Sequence, residues 1–185
     1  SGARDQQTDT TSRKNSQKVI KILYTNARSI LSKIDHLNAF VTDKNPDLII
    51  ITESWLTSRI TNSTIQMNGY YIDNELRIDK LYSENGIGAG ILVFVRNGLK
   101  LFKLDDNSTF NQYCRFFLTN DDKSEKLYFT VVYRSPNTSD ENNDKLVSLI
   151  GNSNFNDKHI ILGDFNYPHI DWTTLASDNK SRSFV

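Results

Sequence analysis

The chain has 185 residues, 22 basic and 22 acidic side chains, zero formal net charge and a hydrophobic fraction of 37%. That length suits one domain with a sizeable core, and zero net charge excludes a global basic field as the means of holding nucleic acid, so any phosphate affinity must come from a local patch. The single cysteine, Cys114, excludes an intramolecular disulfide and a cysteine-based zinc site, and reads as a small buried hydrophobe in a reducing compartment.

Residues 1–17 contain no large apolar side chain, so they cannot offset their ordering entropy by burial and are expected to form a flexible polar tail ahead of a domain at 18–185. No apolar run approaches the roughly 20 residues of a membrane span, and no apolar stretch near the start resembles a secretory signal. The expectation is an intracellular protein, nuclear or cytoplasmic, with no membrane partner.

Val19, Ile20, Ile22, Leu23 and Tyr24 leave only Lys21 polar, which predicts a first strand covered on both faces. Ile30, Ile34, Leu37 and Val41 recur at helical spacing, with Pro46 beyond them, and predict a helix against that strand. Leu48, Ile49, Ile50 and Ile51 form the next buried strand. Apolar runs at Ile91 to Val95, Leu99 to Leu104, Tyr113 to Leu118 and Leu127 to Val132 alternate with polar turns at 105–108 and 120–123, as in a meander. Ser139 is an N-cap, Asp140 and Glu141 suit a first turn, and Leu146, Leu149 and Ile150 line one side of a second helix. Ile160, Ile161 and Leu162 make the last strand. Strands packed as sheets with helices outside are therefore expected.

Four of these strands run directly into polar residues: Asn26, Glu53, Tyr133, and Asp164 with Asn166. Strand ends aim side chains rigidly while loops leave room for substrate, so ligand sites gather there. The set suits phosphodiester cleavage. Magnesium uses hard oxygen ligands and commonly one or two carboxylates, which fits Glu53. Asp164 suits a residue that orients or deprotonates the attacking water, and Asn26 and Asn166 supply neutral amides for water, metal or phosphate. Tyr133 suits a donor to the phosphate as its negative charge builds. Each also has an ordinary reading: asparagine as a turn residue, Gly163-Asp164 as a plain turn, Glu53 as a helix-start acid. Arg28 and Arg134, beside these positions, read either as phosphate contacts or as surface ion-pair residues. Gly86 to Gly90 lacks the Gly-Lys-Ser/Thr ending of a phosphate loop and reads as close packing at a strand start.

Tyr24-Thr25-Asn26-Ala27-Arg28-Ser29-Ile30, Thr52-Glu53-Ser54-Trp55-Leu56, Tyr133-Arg134-Ser135-Pro136 and Leu162-Gly163-Asp164-Phe165-Asn166-Tyr167-Pro168 resemble, in order and spacing, the motifs of the endonuclease/exonuclease/phosphatase superfamily. The Asn-Ala-Arg-Ser and Glu-Ser-Trp-Leu forms, with Ile170-Asp171-Trp172, are most similar to endonucleases of non-LTR retrotransposons of the chicken-repeat-like and jockey-like groups. The resemblance implies a DNase I-like, two-sheet α/β sandwich with outer helices. It also implies a Mg2+-dependent nick in DNA, with Mn2+ as a substitute ion, a reverse transcriptase as partner module and no small-molecule cofactor. By motif, Glu53 binds metal, Asn26 assists at metal and phosphate, Asp164 activates the nucleophile, Asn166 orients it and Tyr133 contacts the scissile phosphate. Relatives continue into an Asp in an apolar strand and a closing Ser-Asp-His. Here the chain ends at Val185, and His36, His159 and His169 do not supply that motif. The expectation is an incomplete domain with one exposed sheet edge and little or no nicking by the isolated chain. Other substrates within the superfamily (an abasic site, an RNA tail, a phosphoinositide) and a non-catalytic module of the same fold are the alternatives.

Overall fold

The computed structural model describes residues 19–80, 89–105, 107–119, 125–152, 158–178, 182 and 184. The tail expected at 1–17, the turn at 120–123 and Gly86 to Gly88 lie outside the described residues.

Along the chain run strands β1 (Ile22–Asn26), β2 (Leu48–Thr52), β3 (Tyr70–Ile72), β4 (Ile91–Arg96), β5 (Leu101–Lys103), β6 (Tyr113–Thr119), β7 (Lys126–Tyr133) and β8 (Lys158–Asp164). Helix α1 (Ile34–Lys44) joins β1 to β2, and helix α2 (Asp140–Gly151) joins β7 to β8. The strands form two four-stranded sheets, ordered β1-β2-β4-β3 and β5-β6-β7-β8. Both helix-linked pairs, β1/β2 and β7/β8, are parallel, as a helical crossover requires, and the other pairings are antiparallel.

The residue pattern accounts for the layers. β2 is buried along its whole length because its two faces pack differently. Leu48 and Ile50 point between the sheets with Val93, Val95, Phe116, Phe129 and Val131. Ile49 and Ile51 face outward with Val41, Leu92 and Phe94, under α1. A strand with both faces covered loses the polar alternation of a one-sided strand. Within the second sheet the paired Phe116 and Phe129 stack at 4.9 Å on the face that meets the first sheet, each full burial contributing about 1.5–3 kcal/mol. On the outer face of the second sheet, Leu146 and Leu149 of α2 cover Val132 and Phe110, and the Ser139 hydroxyl caps α2 by accepting from Asn142 N at 3.2 Å. This is the two-sheet α/β sandwich with outer helices expected from the sequence.

Four details differ. β1 is at the edge of its sheet and only half-buried, with Val19 78% exposed, because an apolar run records burial without saying how many neighbours supply it. α1 begins at Ile34; Ile30 is buried in the turn before it. The expected four-strand meander holds only for β5-β6-β7, since β4 crosses to the first sheet beside β2. β3 and a 3-10 turn at Asn62–Ile65 were not foreseen, being too short to show a period. No helix among the described residues is long and apolar enough to cross a membrane.

Candidate active site

In the first sheet the register sets Asn26 opposite Thr52, so Glu53 leaves β2 beside Asn26. Its backbone is held from two sides. Ala27 N donates to Thr52 O at 2.9 Å, Ser29 N to Glu53 O at 2.9 Å, and Ile30 N to Ser54 O at 3.1 Å. On the other side Ser54 N donates to Gly90 O at 3.2 Å and Trp55 N to Ala89 O at 3.1 Å. Gly90 has φ +96°, and a Cβ there would meet Ser54 Oγ at 2.5 Å, so the close packing expected at this strand start is observed for the described part of the glycine-rich segment.

Side chains do the corresponding work in the second sheet. Tyr133 pairs with Asp164 at the shared end of β7 and β8. Gly163 is therefore a ladder residue opposite Val132, not part of an ordinary turn; its φ is +153° and a Cβ would run into the Val132 carbonyl. Past the strand, Arg134 N donates to Asp164 O at 2.8 Å, Asn166 N to Asp164 Oδ1 at 3.3 Å and Asn166 Nδ2 to Arg134 O at 2.7 Å. The Arg134 guanidinium returns Nη1 to Asn166 O at 2.8 Å and Nε to Asn143 Oδ1 at 3.1 Å, and lies 4.0 Å from the centre of the Tyr167 ring. Tyr167 OH also donates to Asn143 Oδ1. Neither expectation for Arg134, phosphate contact or surface ion pair, describes this arrangement: the residue is 7% exposed and braces the turn that carries Asn166. Burial was hidden because the sequence does not say which loop and helix close over Arg134.

The two halves meet on one amide. Asn26 Nδ2 donates to Glu53 Oε1 at 2.8 Å and to Asp164 Oδ2 at 2.7 Å, which brings the carboxylates from separate sheets within two hydrogen-bond lengths of each other. Tyr133 is 4% exposed. Burial, then the charges of Glu53 and Asp164, push its phenol up to about 12, opposed by the Ala89 backbone amide. Asn166 joins the group through its bond to Asp164, and exposed Arg28 through its backbone N on Asn26 Oδ1 at 3.3 Å. Backbone strain concentrates at these turns. Arg28, Ser29, Glu53, Trp55, Ala89 and Asn166 account for six of the eight positive-φ non-glycine residues among those described, a conformation costing about 1–3 kcal/mol each that persists where surroundings enforce it.

Sequence reasoning missed three neighbours. Tyr24 OH shares a 3.0 Å hydrogen bond with Thr52 Oγ1; burial raises its pKa, Thr52 opposes, and the Asp164 and Glu53 charges add to the rise. The signal was its position two residues before Asn26, on the same face of β1. Asn143 was legible as a polar residue three before Leu146, on the apolar stripe of α2. Tyr167 carried no such signal. Of the three histidines, His159 shares a 2.9 Å hydrogen bond with Thr130 Oγ1.

The donor set fits a hard divalent ion. Two carboxylates and an amide supply oxygen ligands from Glu53, Asp164 and Asn26, as magnesium prefers, and two like charges held this closely gain from a cation. Among the described residues there is no group of three or more His, Cys, Asp or Glu side chains that could hold a metal ion.

Two mixed sheets thus each deliver an acidic residue to a common strand-end site. The chain belongs to the Endonuclease/Exonuclease/phosphatase family, whose pattern matches residues 23–183. Solved structures of the same fold include the AP endonuclease LMAP from Leishmania major, 14% identical over 89% of this chain and 64% of that one, with a TM-score of 0.63. The endonuclease domain of TRAS1, a telomere-specific non-LTR retrotransposon, is 13% identical over 89% of this chain and 67% of its own, with a TM-score of 0.60. The 3′ phosphatase NExo from Neisseria, bound to a product DNA hairpin, is 15% identical over 83% of this chain and 60% of its own, with a TM-score of 0.56. At these identities the likeness establishes the fold alone, and the chain spans about two thirds of the length of these structures. No curated protein sequence matches the chain significantly.

Proposed function

We propose that the chain is a magnesium-dependent DNA endonuclease module of a non-LTR retrotransposon, hydrolysing one phosphodiester to nick target DNA in partnership with a reverse transcriptase module. The observation that carries this reading is the pair of carboxylates, Glu53 and Asp164, from different sheets on the single amide of Asn26. The Asn-Ala-Arg-Ser and Glu-Ser-Trp-Leu forms favour the retrotransposon group over other substrates, and the TRAS1 domain supplies a structural relative from it.

Glu53 and Asn26 hold the ion, Mg2+ or Mn2+, which when bound supplies positive charge to the phosphate oxygens. Asp164 accepts a hydrogen bond on each carboxylate oxygen, so its orientation is fixed when it takes a proton from the attacking water. Asn166 positions that carboxylate through its own N–H. The Tyr133 phenol, kept protonated through neutral pH by burial and two nearby acids, donates to the phosphate as charge accumulates there. Arg28, exposed at the mouth, contacts backbone phosphates of the DNA.

The test pairs an ion-binding readout with turnover. Magnesium titration followed through Trp55, next to Glu53, is expected to saturate in the wild type and fail in Glu53→Gln. Plasmid nicking, even where slow, should fall about 100-fold or more in Asp164→Asn. A folded protein that binds no magnesium and nicks no DNA sinks the proposal in favour of a non-catalytic module of the same fold.

A further inference from the structure

Ala89 and Gly90 are bonded from both sides by the two halves of the site. Toward the first sheet, Ala89 O accepts from Trp55 N at 3.1 Å and Gly90 O from Ser54 N at 3.2 Å, in the turn that begins at Glu53. Toward the second sheet, the Ala89 amide hydrogen-bonds the Tyr133 phenol, and Gly90 N donates to Gln112 Oε1 at 3.0 Å. Tyr133 N donates in turn to Gln112 O at 2.9 Å. Gln112 therefore meets Tyr133 through its main chain and the segment behind Glu53 through its side chain.

By polarity Gln112 is out of place. In β6, Cys114, Phe116 and Leu118 face the first sheet in the apolar core, and alternation puts Gln112 at the head of the same row. A polar side chain 4% exposed at such a position must bond its amide or lose its hydration uncompensated. Its oxygen is bonded to Gly90 N, whereas Nε2 is buried with no hydrogen-bond partner among the described residues. An apolar side chain would leave no orphan Nε2, but it would strip Gly90 N of its acceptor. The oxygen thus accounts for the glutamine, and what it does is fix Gly90. That residue has φ +96° and lies so near Ser54 that a Cβ would meet the hydroxyl at 2.5 Å, so a shift of Gly90 passes to Ser54 and to its neighbour Glu53.

From these contacts we infer that Gln112 is a positioning residue: it sets the spacing between Glu53, which follows β2, and Tyr133, which ends β7, by holding Gly90 across the sandwich. It acts through peptide groups and touches neither the ion nor the DNA. The inference rests on the nuclease reading and adds to it the residue that ties the two sheets together at the site. The main-chain clamp around Glu53 has a side chain behind it.

The test uses the whole chain in a Trp172→Phe background, so that Trp55 is the only tryptophan, with magnesium alone as the probe. Gln112→Met, which removes the acceptor, should weaken magnesium binding about tenfold, as loss of a group supporting a metal ligand does. Gln112→Glu keeps an oxygen for Gly90 N and should stay within about threefold of the parent. Phe116→Leu, on the same face of β6, controls for general loosening: its urea midpoint should fall while its magnesium affinity stays within about threefold of the parent. Amide exchange followed by NMR reads the tie itself, and the Gly90 and Ser54 amides should both exchange about tenfold faster in Gln112→Met. Unchanged magnesium affinity in Gln112→Met, an equal loss in Gln112→Glu or Phe116→Leu, or Gly90 and Ser54 amides that keep their protection each overturns the inference and leaves the nuclease reading standing. If Gln112→Met does not fold, the parent decides: magnesium should slow exchange at Gly90 about tenfold, and no slowing overturns the inference. A folded parent that binds no magnesium takes both down together.

Discussion

The two parallel strand pairs each deliver a carboxylate to Asn26, but they hold it by different means. Glu53 follows a strand buried along its length, and main-chain hydrogen bonds to the 27–30 turn and to Ala89 and Gly90 clamp it from both sides. Asp164 ends an edge strand that is only half-buried, and a side-chain brace of Arg134, Asn143, Asn166 and Tyr167 does what neighbouring strands do on the other side. The lesson is one of vulnerability. Backbone clamping tolerates side-chain changes as long as the fold holds, whereas a side-chain brace fails locally.

Substitutions can break this contrast. The largest effect is expected at Gly163, where a Cβ has no room beside the Val132 carbonyl. Gly163→Ala should cost about 3 kcal/mol in urea unfolding, with β8 displaced; a loss below 1 kcal/mol would mean the two strands separate easily and that the second half is looser than described. Next is Arg134→Met, which leaves the Asn166 carbonyl without its buried donor. About 2 kcal/mol of stability should go, and nicking should fall further than global stability explains, because Asp164 loses its support while Glu53 keeps its own.

The Tyr133 phenol sharpens the comparison through pH. The unfolded chain ionises this group near pH 10, the folded chain only at about 12. Its contribution is therefore whole below pH 10 and disappears as pH rises from about 10 to about 12. Tyr133→Phe should flatten the alkaline loss of stability by about 1.4 kcal/mol per pH unit across that window, read from urea midpoints at successive pH values. The smallest effect belongs to Lys33→Met. Its exposed ammonium bonds the carbonyls of Ala27 and Arg28, and its removal should cost about 0.5 kcal/mol, since the clamp around Glu53 is made of main chain. A cost matching that of Arg134→Met would erase the distinction between the halves.

Much of this was legible because a strand buried on both faces ends abruptly. Leu48 to Ile51 before Glu53, and Leu127 to Val132 before Tyr133, mark a change from apolar to polar that coincides with the end of a ladder, and residues at such ends converge when parallel pairs point the same way. The sheet partners were not legible. An apolar run states that something covers it without naming the cover, so the edge position of β1 and the passage of β4 into the first sheet emerged only in three dimensions. The brace was half visible: Asn143 interrupts an apolar stripe, but Tyr167 and the burial of Arg134 follow from a loop path that periodicity does not describe.

An amide nitrogen has two hydrogens, and in Asn26 both are engaged, one by each acid. It thereby acts as a neutral stand-in, keeping like charges side by side with dipoles instead of an ion.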